Sequence, residues 1–244
     1  MTRVGVISQA RMASTRLPGK VMLEAGGANV LTHHVHRLSW AGYPVFVATT
    51  TGAADDVIAT AARDAGAAGA SRGSEHDVLS RFADAARTFH LDVVVRVTSD
   101  CPLIDGGIVR QGVEEYLALK DPRAFLSNTL DRTYPRGFDF EVFSAELLYE
   151  ADRLGVSPAE REHVTPYMYI GGASRINLRS IRRSSDASQY RLTLDTSDDW
   201  VVISRLINDH SAHLMTGDQI IDLLGLHPDI ARLNADVPQK KLDA

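Results

Sequence analysis

Arg3-Val4-Gly5-Val6-Ile7 runs straight into Ser8-Gln9-Ala10-Arg11-Met12-Ala13-Ser14-Thr15-Arg16-Leu17-Pro18-Gly19-Lys20. The first five residues read as a buried strand, and the rest as the loop leaving its carboxyl end. Arg11, Arg16 and Lys20 fall within ten residues, and no carboxylate precedes Glu24. The whole chain carries a formal charge of -5, so this cationic loop is a local feature and not a reflection of bulk composition. Forked arginines and a lysine point charge in one glycine-containing loop suit a strongly anionic ligand. A nucleoside triphosphate is the natural candidate.

Alternation of strand and helix patterns extends from this start. Strand-like runs are expected at Arg3–Ile7, Pro44–Thr49, Asp92–Val97, Ala124–Ser127, Phe138–Phe143, Ile176–Ser180 and Arg191–Leu194. Between the early ones, Leu31, Val35 and Leu38 keep helical spacing, as do Val78, Phe82, Ala85 and Phe89. Asn29 is placed to cap the first of these helices and Gly42 to stop it. Helices are also expected at Asp55–Ala65, Ile108–Leu119, Pro158–Tyr169, Asp198–Ser211 and Asp218–Leu224, with the tail from Val237 frayed. This order predicts an α/β fold, a mostly parallel sheet with helices on both faces. From about residue 121 to 180 the short strands separated by Arg, Tyr, Pro and Gly read as a small inserted β-rich lobe facing the substrate, within a single domain of 1–244.

The 244 residues are 44% hydrophobic, enough for one large core. The acidic balance argues against a nucleic-acid partner. One cysteine, Cys101, excludes an internal disulfide and fits a cytoplasmic setting. No apolar run of membrane-spanning length and no N-terminal leader pattern is present, so no membrane partner is expected.

Ligand sites of open parallel sheets lie at the carboxyl ends of the strands. Three such ends draw attention. The first loop is not a Walker A loop, because Val21 follows Gly19-Lys20, and it lacks the glycine trio of a dinucleotide fingerprint. After Asp92–Val97 comes Thr98-Ser99-Asp100-Cys101-Pro102, where Asp100 is well placed as a Mg²⁺ ligand or as a turn residue. Magnesium takes one or two carboxylates plus phosphate oxygens, and Asp195, ending Arg191–Leu194, offers the second carboxylate. Arg72-Gly73-Ser74 precedes a helix that Ser74 or Asp77 would cap, and could equally close over a nucleotide. Tyr134-Pro135-Arg136-Gly137-Phe138-Asp139 is either a hairpin turn or a seat for an acidic sugar, with Arg136 on its carboxylate. Glu162 and His163 open a charged stretch in which His163 is as easily a surface residue as a site residue.

Taken in order, SQARMASTRLPGK, RGSEHDVLSRF, VVRVTSDCPLID, RTYPRGFDFEVF, EREHVTPY and LTLDTSDD resemble the cytidylyltransferases of the spore-coat-polysaccharide type, relatives of the CMP-KDO and CMP-sialic acid synthetases. The resemblance spans about Val4 to Leu206. It implies a Rossmann-like nucleotidyltransferase that converts CTP and an acidic sugar to a CMP-sugar and pyrophosphate with Mg²⁺, acting as a homodimer. Carried over, Gln9, Ala10, Arg11, Arg16 and Lys20 match the triphosphate loop, and Asp100 and Asp195 the metal pair. Arg72 and Ser74 fall in the nucleotide-contacting segment, and Arg136, Asp139, Glu162 and His163 in segments facing the sugar. Arg11, Lys20, Asp100 and Asp195 are thereby the expected catalytic set. Ser99 departs from the usual glycine and would add bulk near the α-phosphate. Two rivals stand beside this reading: a glycosyltransferase of similar architecture using a nucleotide-sugar donor, and a non-catalytic nucleotide-binding protein.

Overall fold

The computed structural model describes residues 2–170 and 176–239. Nine strands are present, β1 Val4–Gln9, β2 Glu24–Ala25, β3 Ala28–Asn29, β4 Val45–Thr50, β5 Gly69–Gly73, β6 Val93–Thr98, β7 Ala124–Ser127, β8 Glu141–Ser144 and β9 Asn177–Ser180, among the described residues. Seven of them form one sheet in the order β5-β4-β1-β6-β8-β7-β9, and β2 with β3 makes a small antiparallel pair. β5, β4, β1 and β6 run parallel; β8 enters antiparallel to β6 and to β7, and β9 again runs parallel to β7. The strands of the 121–180 stretch therefore extend the main sheet instead of building a second one.

Side-chain alternation along each strand divides the core between the two faces. Val4, Val6, Val45, Val47, Val93 and Val95 pack on one side, against α1 (Val30–Ser39), α2 (Asp56–Asp64) and α4 (Gly106–Leu119). Ile7, Phe46, Ala48 and Val94 pack on the other, against α3 (Val78–Thr88) and α5 (Ala145–Leu154). The capping expectations hold: Asn29 accepts the Thr32 amide at 2.8 Å and Asp77 that of Ser80 at 3.0 Å. Gly42 stops α1 at φ 78°.

Three expectations need correction. Arg191–Leu194 is not a strand; it makes a single bridge, Arg191 to Arg136. The strand expected at Phe138–Phe143 runs only over Glu141–Ser144, because the Asn128 side chain captures the Phe138 carbonyl at 2.7 Å and the Phe140 amide at 3.0 Å. The helix expected over Pro158–Tyr169 is broken into α6 (Pro158–His163) and α7 (Pro166–Tyr169). Between them Val164 adopts φ 72°, ψ -52°, and the Thr165 amide reaches the His163 carbonyl at 2.8 Å. That is a γ-turn of the strained kind, costing about 1–3 kcal/mol. The tail after Pro228 is only briefly helical, in α10 (Pro228–Ala231) and a turn at Arg232–Asn234; residues 240–244 of the predicted frayed end lie outside the described residues. The sheet's β5 and the helix α5 had no counterpart in the sequence reading. α8 (Ser197–His210) and α9 (Gly217–Leu226) complete the fold.

Candidate active site

The loop after β1 is pinned at its middle and its end. The Met12 amide donates to Asp55 Oδ1 at 2.7 Å, and buried Asp55 also accepts the Thr50 hydroxyl. Gly19 then turns the chain at φ 69°, its amide on the Met12 carbonyl at 3.0 Å. This delivers Lys20 to the centre of the site. Its Nζ donates to Asp100 Oδ2 and to Asp195 Oδ1, both at 2.8 Å.

Each carboxylate is fixed from behind. Asp100 Oδ1 accepts the Thr98 hydroxyl at 2.6 Å, and the Asp100 carbonyl holds the Leu194 amide at 2.7 Å. Burial alone would raise the Asp100 pKa, but the charge and hydrogen bond of Lys20 prevail and hold it at about 2. Asp195 Oδ2 meets Arg16 at 3.0 Å and Arg191 at 3.1 Å. Arg191 in turn grips fully buried Asp199 through Nε at 2.8 Å. Asp199 also accepts the Asp195 and Thr196 amides at 2.9 and 3.0 Å and the Asn234 amide group at 2.9 Å. Asp199 reads in the sequence as one carboxylate of a helix start; the structure makes it the brace behind Asp195.

Beneath Asp100 lies a buried polar chain. His34 on α1 donates through Nδ1 to the Cys101 carbonyl at 2.9 Å, which fixes Nε2 as the acceptor of the Ser8 hydroxyl at 2.8 Å. Ser8 meets Ser99 at 2.8 Å, and Ser99 donates to the Gln9 carbonyl at 2.7 Å. The Ser99 hydroxyl is therefore engaged inside the protein. Burial pushes His34 down to about 4, against the Cys101 carbonyl and the Asp100 charge, which favour its protonation. A folded value below the ordinary 6.5 means the unfolded chain binds the proton more readily. Stability present above about pH 6.5 is therefore lost progressively as the pH falls towards 4. His34→Asn, whose amide nitrogen can replace Nδ1, should flatten that acid limb in urea titrations. An unchanged limb would assign it to other groups.

Two cavities meet at the carboxylate pair. One, of about 250 Å³, is lined by Ala10, Arg11, Arg16, Lys20, Arg81 and Glu162, among others. The other, of about 380 Å³, is lined by Arg96, Arg132, Arg136, Asp139, Glu141 and Thr165, among others. Gln9, Arg16, Thr98, Asp100, His163 and Asp195 line both. The strained turn at Val164 sets His163 and Thr165 on this wall, Thr165 donating to Glu141 at 3.0 Å.

Most cations here already have partners. Arg96 pairs with Glu141 at 2.8 Å, and Arg132 forks onto Asp139 at 2.6 and 3.0 Å. Asp139 is thus occupied by Arg132, a residue that sequence reasoning passed over, as it did Arg96. Arg136 is different: no side-chain partner engages it among the described residues, and burial together with Arg132 lowers its pKa. Arg72 and Ser74 line neither cavity. Arg72 instead braces the turn after β4, donating to the Thr50 and Gly52 carbonyls at 2.7 and 2.8 Å and pairing with Asp56 at 2.5 Å. Ser74 Oγ accepts the Asp77 amide at 3.1 Å.

No cluster of three or more His, Cys, Asp or Glu able to hold a metal occurs among the described residues. Asp100 and Asp195 are still a fitting donor set for a hard divalent cation. Magnesium needs only one or two carboxylates when phosphate oxygens complete its shell, and the point between these two carboxylates already accommodates the positive charge of Lys20.

An open sheet with a cationic loop after β1 and a Lys20-bridged carboxylate pair, one member after β6 and the other just before α8, suits a nucleotidyltransferase. Residues 5–195 match the cytidylyltransferase family, and the chain belongs to it. It is 30% identical over 240 residues to the spore coat polysaccharide biosynthesis protein SpsF of Bacillus subtilis, covering 95% of this chain and 98% of that one. A 3-deoxy-manno-octulosonate cytidylyltransferase of Rhodospirillum rubrum is 39% identical over 125 residues, 48% of this chain and 47% of its own length. Among solved structures, a cytidylyltransferase from Leptospira borgpetersenii serovar Hardjo-bovis superposes with a TM-score of 0.91 at 33% identity, covering 99% of this chain and all of that one.

Proposed function

We propose that this enzyme transfers CMP from CTP to a hydroxyl of an acidic sugar, releasing pyrophosphate. The observation that carries the reading is the Lys20-bridged Asp100–Asp195 pair on the wall shared by a cationic cavity and a mixed-charge one. The triphosphate fits the side of Arg11, Arg16 and Lys20, and the sugar fits the side of Arg136. The sugar oxygen attacks the α-phosphorus in line, the bond to the bridging oxygen breaks, and the leaving pyrophosphate stays on the loop cations. Charge builds on the α-phosphate and the leaving group, and preorganised cations at that point lower the barrier. Asp100 and Asp195 would hold Mg²⁺, which when bound supplies charge neutralisation and a template for the phosphate oxygens. Asp100, ionised down to about pH 2, needs no proton loss to serve. Lys20 in this reading shares its charge between the carboxylates and the incoming phosphates.

Specificity for an acid rests on charge balance in the larger cavity. With Arg96 and Arg132 neutralised, Arg136 is the guanidinium left for a substrate carboxylate. One charged hydrogen bond contributes about 1.5–3 kcal/mol. Arg136→Ala should therefore raise KM for the sugar by roughly 10- to 100-fold while KM for CTP stays within about twofold. Equal effects on both substrates would remove Arg136 from the sugar site. The reading as a whole is tested by pyrophosphate release from each nucleoside triphosphate with Mg²⁺ across a panel of acidic sugars. Release with CTP and one acid supports it. Nucleoside diphosphate release from a sugar nucleotide would instead indicate a glycosyltransferase.

A further inference from the structure

Arg81, on α3, is 2% exposed and has no ion pair among the described residues. Its stem packs beside Gly73, where Cγ would lie 3.2 Å from an added Cβ. Nη1 donates to the Ser74 carbonyl at 2.5 Å, and Nε is buried with no hydrogen-bond partner among the described residues. The nearby carboxylate Asp77 is already forked by Arg161 at 2.9 and 2.5 Å. Asp55, also near, is taken up by Met12 and Thr50.

The guanidinium lines the same 250 Å³ cavity as Arg11, Arg16 and Lys20. Arg16 and Lys20 face carboxylates there, whereas Arg11 has no side-chain partner among the described residues. Burial, together with the positive charge of Arg11, lowers the Arg81 pKa to about 10 against the opposing charges of Asp55, Glu75 and Asp77. Two guanidiniums that repel one another across a cavity, one with a buried unpartnered donor, make an anion site.

We propose that Arg81 is a nucleotide-binding residue that, with Arg11, clamps the phosphates that leave as pyrophosphate. This rests on the nucleotidyltransfer reading above. The acceptor of the Nε and Nη donors is a phosphate oxygen, and Ser74 serves to aim the guanidinium rather than to touch the nucleotide. A helical arginine seven residues beyond Ser74 thus links the glycine-containing segment to the site it does not itself line.

Titration calorimetry with pyrophosphate alone, and separately with CTP and UTP, tests the clamp. Arg81→Gln should weaken pyrophosphate and CTP in parallel, by roughly 10- to 100-fold, with the CTP-to-UTP ratio unchanged. Arg81→Lys, which keeps the charge and most of the stem, should fall between the wild type and the glutamine variant. It also serves if the glutamine variant does not fold. Unchanged pyrophosphate affinity in a folded variant overturns the clamp. Loss of CTP-over-UTP preference with pyrophosphate unaffected would overturn it in favour of base recognition. A wild type that binds pyrophosphate but not CTP would reject the cytidylyl reading while leaving the clamp standing; binding of neither would reject both.

Discussion

Asp100→Asn lowers kcat by roughly 10²-fold or more, the scale of removing one preorganised electrostatic group from a transition state. The substitution keeps the shape of the side chain and the acceptor that meets the Thr98 hydroxyl at 2.6 Å. What it removes is the negative charge facing Lys20 at 2.8 Å. Lys20 would then lean on Asp195 alone, already shared with Arg16 and Arg191. The site loses both the carboxylate charge proposed to hold the metal and the symmetric seat of its central ammonium. Steady-state pyrophosphate release over a magnesium titration reads both effects: kcat falls, and the metal concentration for half-maximal rate rises. Near-normal turnover with an unchanged magnesium dependence would remove Asp100 from the reaction.

Asp199→Ala destabilises the fold more than a change outside the Lys20–Asp100–Asp195 cluster would suggest. Its carboxylate is fully buried and serves Arg191, two backbone amides and Asn234 at once. Removing it strands the Arg191 guanidinium, itself 7% exposed, without its main partner. Breaking a buried pair from one side costs about 3–5 kcal/mol, against a total stability of about 5–15 kcal/mol. Loss of the capping box at Thr196 adds to this. Urea denaturation should show a lower midpoint with an unchanged slope. A cost below about 1 kcal/mol would mean that Arg191 finds Asp195 sufficient. The double replacement Asp199→Leu with Arg191→Met should recover part of the stability, since apolar residues of similar volume often replace buried pairs without loss. It should not recover activity, because Asp195 loses its brace.

What the sequence disclosed follows from where charge is unusual. Asp100 and Asp195 sit just past apolar runs, where a charge has few structural uses, and Lys20 closes a cationic loop, so these three residues were legible. Arg81 and Asp199 were not, because a charged residue on an amphipathic helix reads as a solvated one until its neighbours are known. Arg96 interrupts an apolar strand at Val93–Thr98 and was a visible signal. β5, Gly-Ala-Ser-Arg-Gly, has no β-branched residue and gains its strand from pairing with β4. The break at Val164 could not be foreseen, because a β-branched residue at positive φ runs against local preference and is imposed by packing. The contact of Ser99 with Ser8, and through it with His34, needed the pairing of β1 with β6 to be seen.

The brace behind Asp195 has a consequence for biogenesis. Lys20, Asp100 and Asp195 are joined across sequence separations of 80 and 175 residues, and Asn234 closes the network on Asp199 and on the Arg191 carbonyl. Contacts of such long range form late, after the local helices and the first parallel strands. On a ribosome, the loop after β1 is complete long before Asp195, which faces Arg16 and Lys20, has been synthesised. The nascent chain therefore presents Arg16 without its carboxylate through most of translation, and the brace behind Asp195 closes only when the segment bearing Asn234 docks.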